Sequence, residues 1–207
     1  MSDLELFLWL VPALVASMVL HELAHALVAT RLGDPTPREQ GRLTLNPLSH
    51  LDPLGTAMFG ITFWLSSFMF GWAKPVLIQP GYFKRPKEGM ALVAVAGPVS
   101  NFLIALGVAT VLVHVDLSSG TRDVLELVYV VNVILGIFNL LPVPPLDGSR
   151  IVAVFMTGAA YERWRALDQY GMFAIFGLIF LFRDPFFELI STAFRHIDRF
   201  MAFLVGA

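Results

Sequence analysis

His21-Glu22-Leu23-Ala24-His25 places two histidines and a glutamate within one helical turn, an HExxH motif inside an apolar stretch from Leu4 to Leu32. On an α-helix, positions i and i+4 lie about 40° apart around the axis, so both imidazoles face one way. Two neutral imidazoles one turn apart can hold two corners of a tetrahedral zinc ion. The glutamate between them then stands where it can take a proton from water. Such a motif can arise by chance, but ionisable groups within a membrane-spanning stretch are costly and usually mark function. The spacing therefore predicts a hydrolytic zinc site within the bilayer.

Two histidines leave a catalytic zinc one protein ligand short. The chain has no cysteine, so thiolate ligands and disulfides are excluded and a carboxylate or a further histidine must complete the site. Soluble zinc proteases place a glutamate some twenty residues downstream on a following helix. Glu39 is near that distance, but Pro35 and Pro37 precede it and no helical pattern surrounds it. The extended HExxHxxGxxH form fails too, because Ala26 to Thr30 offers neither glycine nor histidine. Asp147 remains, between Asn139-Leu140-Leu141-Pro142-Val143-Pro144-Pro145-Leu146 and Gly148. Prolines there unwind a helix, and Gly148 permits a tight bend that turns a carboxylate inward. Within a bilayer such broken backbone is tolerated where it lines a cavity or the protein interior. Taken alone, Asp147 reads equally well as the N-cap of a helix after a plain loop. Beside an intramembrane HExxH the ligand reading is preferred.

The elements that must position these groups are apolar. Of 207 residues, 57% are hydrophobic and 14% charged, with a mean hydropathy of +0.72. Soluble domains carry about 25% charged residues, so an all-α polytopic membrane protein is expected. The length suits one domain over residues 1–207, with a core at 4–158 and C-terminal helices at 159–207. The acidic start, Met1-Ser2-Asp3-Leu4-Glu5, argues against a cleaved signal peptide. Five or six apolar segments are expected: Leu4–Leu32, Thr56–Ala73, Gly89–Val115, Val124–Leu141 with a resumption over Asp147–Met156, and Leu167–Phe182. Pro185–Val205 differs, since Phe186, Leu189, Ile190, Ala193, Phe194, Ile197, Phe200, Met201 and Leu204 follow helical spacing while Glu188, Arg195, His196, Asp198 and Arg199 fill the other face. That is the pattern of an interfacial amphipathic helix.

Thr56–Ala73 decides the topology. If it crosses fully, His21 and Asp147 end on opposite sides; if it dips and returns, residues 33–88 and 142–165 share one side. In the second arrangement ten of the 14 basic residues lie on that side, leaving only Arg122, Arg183, Arg195 and Arg199 on the other. The bias favours the re-entrant path, an outside N-terminus and cytoplasmic loops.

HELAH, then Gly97-Pro98-Val99-Ser100-Asn101, then Phe138-Asn139-Leu140-Leu141-Pro142 through Asp147-Gly148, together resemble the site-2 protease family of intramembrane zinc metalloproteases. The likeness, over roughly residues 10–158, is to the minimal prokaryotic branch, which lacks a PDZ or CBS domain. It implies Zn2+ held by His21, His25 and Asp147, Glu22 as catalytic base, and Asn139 steadying the scissile carbonyl. It also implies that the segment Gly41-Arg42-Leu43-Thr44-Leu45-Asn46-Pro47 is a short re-entrant β-loop that pairs with substrate, the transmembrane segment of another membrane protein. A prokaryotic cell membrane is the implied location, and a regulatory membrane partner is left open.

Other polar positions carry two readings each. His50 could be a further metal or substrate ligand, or a structural hydrogen-bonder in a turn-rich loop. Asn101, one turn after Gly97, reads first as an interhelical hydrogen-bonder and second as support for the site. Lys84-Arg85-Pro86-Lys87 reads as an anchor to anionic lipid in preference to a nucleic-acid patch. The main rival function is a membrane metal-ion transporter or metal-gated channel. It requires ligands at several depths and gives Glu22 no reason to sit between two histidines.

Overall fold

The computed structural model describes residues 3–65 and 71–207. Among them the chain is all helical: α1 (Asp3–Arg31), α2 (Thr36–Glu39), α3 (Pro53–Leu65), α4 (Pro86–His114), α5 (Ser119–Asn139), α6 (Asp147–Ala153), α7 (Gly158–Ala166), α8 (Gly171–Leu181) and α9 (Arg183–Val205). Helices α1 and α4 are the two described ones long and apolar enough to cross a membrane. Each has 29 residues, about 44 Å at 1.5 Å per residue, against a hydrocarbon core of about 30 Å. The 21 residues of α5 begin with Arg122, Asp123 and Glu126 in their first two turns, so its apolar part is shorter.

Helix α4 is the hub, packed against α1, α5 and α6. Small residues make this close approach possible: Ala26 and Ala29 of α1 and Ala105 of α4 are fully buried. Where lipid replaces water the hydrophobic effect does not press helices together, and dispersion contacts between closely spaced backbones do that work. Helix α9 forms over the expected amphipathic segment. Its Met201 packs with Ala105, Val133 and Ile137, and its Phe186 with Leu146, Ile175 and Ile179. Glu188, Arg195, His196, Asp198 and Arg199 are exposed. The expected segment Leu167–Phe182 is a 3-10 turn followed by the 11 residues of α8.

The expected segment Thr56–Ala73 falls partly on 66–70, which lie outside the described residues. Its first part is α3, 13 residues or about 20 Å long, whose Phe63 ring packs at a tilt against Phe7 near the start of α1. Its last residue, Ala73, forms an antiparallel bridge with Leu51, and the Lys74 amide donates to the His50 carbonyl at 2.8 Å. The two ends of the segment therefore lie side by side.

No strand forms among the described residues, so the β-loop expected over 41–47 is not seen as one. Arg42 instead turns inward, buried, and its guanidinium donates to the Ser49 carbonyl, while His50 Nε2 bonds the Thr44 carbonyl at 3.0 Å. Side chains thus satisfy this loop's backbone locally, where a ladder would have used it. The run 72–79 is held at its far end by Asp34, fully buried, which accepts from the Thr36 and Gln79 amides at 2.9 and 2.7 Å. Replacing Asp34 with alanine strips two amides of their acceptor and is expected to cost roughly 2–4 kcal/mol. Thermal unfolding in detergent with an unchanged midpoint would reject this anchor.

Candidate metal centre

His21 and His25 project from the C-terminal half of α1 and are buried, their Nε2 atoms 3.0 Å apart. Asp147 Oδ2, from the start of α6, lies 3.2 Å from His21 Nε2 and 3.3 Å from His25 Nε2. These three groups form the one cluster of three or more metal-ligating side chains among the described residues.

The second nitrogen of each ring decides what the first can do. His25 Nδ1–H donates to the Val93 carbonyl at 2.7 Å. A carbonyl only accepts, so the proton sits on Nδ1 and Nε2 keeps a lone pair. His21 Nδ1–H donates to Asn101 Oδ1 at 2.6 Å, with the same result. Asp147 Oδ2 is buried and has no hydrogen-bond donor. Three electron-pair donors therefore converge with no proton between them, an arrangement that calls for a cation. A tetrahedral zinc with bonds of about 2.0–2.1 Å needs ligand atoms about 3.3 Å apart, and the observed edges of 3.0, 3.2 and 3.3 Å match. Two imidazoles and one carboxylate fit zinc in a catalytic site with a fourth position left open.

Gly97 makes room for this. A Cβ there would stand 2.5 Å from Nε2 of both histidines, where the metal edge of the site lies. Pro98 beside it lacks the N–H that would close the helical turn onto Ala94, so α4 presents its close face to the imidazoles just where its ladder is interrupted.

Asp147 is delivered by the broken end of α5. The chain turns through Pro142–Pro145 by short bonds, Leu141 N to the Phe138 carbonyl and Leu146 N to the Val143 carbonyl. Leu146 packs on Ile175 and Ile179 of α8. Leu146 is the N-cap of α6 and Asp147 lies in its first turn, so Asp147 is not itself the N-cap. Gly148 follows because a Cβ would collide with the carbonyls of Leu140 and Leu141.

Glu22 lies half-buried beside the histidines, and its Oε2 accepts from the Val76 amide at 3.1 Å. Of the other expected site residues, Asn101 is brought to the centre through His21. Asn139, at the end of α5, donates to the Leu135 carbonyl at 3.0 Å and makes no hydrogen bond to the three ligands. His50 is buried in the loop and takes no part in the cluster. Leu43 and Thr44 are half-buried and Leu45 and Asn46 exposed, with Asn46 capping the Pro47–Ser49 turn. Arg42, Leu48, Ser49, Lys74, Pro75 and Leu77 line a cavity of about 500 Å³ between this loop and the run 72–79.

Sequence reasoning missed Val76 and Val93, because backbone groups carry their roles and any side chain would serve. It missed Asn132 and Ser17 as well. Asn132 Nδ2 donates to Ser17 Oγ at 2.8 Å, and Asn132 Oδ1 accepts from Asn101 Nδ2 at 3.0 Å. An amide inside an apolar helix was the available signal, as it was for Asn101.

A model of peptidase family M50 matches residues 115–182, the part that carries Asp147. YwhC of Bacillus subtilis, named as a zinc metalloprotease, is 39% identical over 187 residues, covering 86% of this chain and 82% of that one. Rip2 of Mycolicibacterium smegmatis, also named as a zinc metalloprotease, is 27% identical over 205 residues, 94% of this chain and 76% of its own. The zinc metalloprotease MJ0392 of Methanocaldococcus jannaschii is 28% identical over 144 residues, and this chain spans only 33% of its length. No solved structure matches.

Gly97→Ala is expected to reduce bound zinc to well below one per chain in metal analysis of purified protein, because the methyl would occupy the ligands' own space. Asp147→Ala should likewise lower zinc content; full stoichiometry in either variant would count against this geometry.

Proposed function

We infer the reaction of this chain from its family: it belongs to peptidase family M50. It is a zinc metalloprotease of the site-2 type, hydrolysing peptide bonds within the membrane. The observation that carries this reading is the triangle of His21, His25 and Asp147 with Glu22 beside it. When bound, zinc supplies a Lewis acid that acidifies water and polarises a carbonyl.

The chain's own residues then have these roles. His21, His25 and Asp147 hold the ion. Glu22 takes the proton of the attacking water and passes it to the leaving amine. The Val76 amide holds one oxygen of that carboxylate and leaves the other for the proton. Asn139 keeps one N–H on Leu135, and its second N–H turns to the scissile carbonyl as negative charge develops there. Substrate is a transmembrane segment that must unwind locally, since an intact helix has every backbone group paired. The cavity between the loop carrying Arg42, Leu43, Thr44, Leu45, Asn46 and His50 and the run 72–79 receives it.

The re-entrant path of Thr56–Ala73 is supported by the pairing of Leu51 with Ala73 and by the shortness of α3. With the loops cytoplasmic and the N-terminus outside, ten of 14 basic residues face the cytoplasm. Exposed Phe187, Leu189, Phe200 and Phe203 on α9 support its lying at the membrane surface as well as against the bundle. A prokaryotic cell membrane is the expected location.

Glu22→Gln is expected to retain one zinc per chain and to lose cleavage by roughly 10²–10⁴-fold. Purified protein and variant, incubated with a panel of single-span substrates with and without chelator, provide the measurement. Cleavage by the variant at the parent rate would remove Glu22 from the mechanism, and cleavage unaffected by chelator would remove the metal.

A further inference from the structure

A file of polar side chains runs from the metal centre through α4 and α5 and back to α1 one turn before His21, and its polarity is fixed at that end. Ser17 Oγ–H donates to the Ala13 carbonyl at 2.7 Å, so its proton is committed. Asn132 Nδ2 faces that oxygen at 2.8 Å and the Val128 carbonyl at 2.9 Å. Two acceptors require the NH2 end of the Asn132 amide there, which turns Oδ1 towards Asn101. Asn101 must then present Nδ2, at 3.0 Å, leaving its own Oδ1 for His21 Nδ1. Each amide has one acceptor end and one donor end, so orienting the first orients the second. Asn101 and Asn132 are fully buried and Ser17 and His21 nearly so, leaving no solvent to restore a flipped amide.

From this geometry we propose that Asn132 is a positioning residue for the zinc site. It acts through Asn101 to keep the His21 proton on Nδ1, and so keeps the Nε2 lone pair turned to the metal. The inference rests on the zinc reading of the site. Groups in the shell behind a ligand typically change metal affinity by about 10–100-fold, and Asn132 stands one side chain further back. Ser17 is the lesser member, because the Val128 carbonyl alone still orients the Asn132 amide.

Three substitutions separate orientation from packing. Asn132→Leu keeps the approximate shape and removes both ends of the amide, so Asn101 is free to turn. Asn132→Asp keeps the acceptor for Asn101 Nδ2, and its other oxygen, protonated in this apolar setting, donates to the Val128 carbonyl or to Ser17 Oγ in place of Nδ2. Ser17→Ala keeps Asn132 whole. Zinc affinity is measured by chelator competition on the purified full chain, and ligand geometry by the visible absorption of the cobalt-substituted protein. Asn132→Leu should bind zinc about 10-fold more weakly or worse, with an altered cobalt spectrum. Asn132→Asp and Ser17→Ala should stay within about threefold of the parent, below the effect expected for groups behind a ligand, with its spectrum. A pure packing role predicts the reverse order, since leucine suits an apolar interface better than a buried acid. Parent-like zinc affinity in Asn132→Leu, or equal weakening in Asn132→Asp, would overturn the proposal. Should the leucine variant fail to fold, Asn132→Ala makes the same comparison. Failure of the parent itself to bind zinc would sink the zinc reading, a separate result.

Discussion

Three lone pairs pointed at one another across 3.0–3.3 Å, on side chains largely withdrawn from solvent, are the constraint on which the rest of the structure depends. Without a cation between them they repel, and without a rigid frame they separate. The frame comes from three long helices. Helix α1 sets the two imidazoles one turn apart, α4 fixes their protons through Val93 and Asn101, and the broken end of α5 brings the carboxylate. Small residues where α1 meets α4 let the backbones approach closely enough for those second contacts to form. Gly97 is the limiting case, since even a methyl group there would take the ligands' space.

The same closure creates a difficulty for hydrolysis, because water and a peptide bond must both reach the metal. The run 72–79 borders the cavity proposed to receive substrate. It is pinned to the loop at Leu51, to Glu22 through the Val76 amide, and to Asp34 through Gln79. The group that holds the carboxylate in place thus belongs to the segment that borders the cavity. Val76, whose amide holds Glu22, is buried, while the next residue, Leu77, lines the cavity and is largely exposed.

Legibility followed the kind of signal each feature leaves. The HExxH placed His21, Glu22 and His25 together because helical geometry alone sets their relation. Asp147 could be found because prolines and a glycine in an apolar chain need a reason. The long helices α1, α4 and α5 agree with their hydropathy to within a few residues. The loop over 41–47 was legible only by resemblance, and its strand character did not appear, since Arg42 and His50 turn inward to bond backbone carbonyls. Nothing in local pattern announces such a choice, which depends on tertiary neighbours. The roles of Val76 and Val93 were illegible for a simpler reason, as their backbone N–H and C=O are common to almost every residue.

Asn132 shows why a polar residue in an apolar helix should be traced to its last partner. An isolated amide within a membrane protein costs several kcal/mol unless both ends are paired, so a buried one is bound to some network. Here the network's far end is two backbone carbonyls and a committed hydroxyl, groups whose donor or acceptor character is fixed. Their polarity passes through two amides to an imidazole, which has no fixed polarity of its own. The helix backbone thus sets the tautomer of a metal ligand without touching it. Exclusion of water, which makes each of these groups costly to leave unpaired, also makes their order unambiguous.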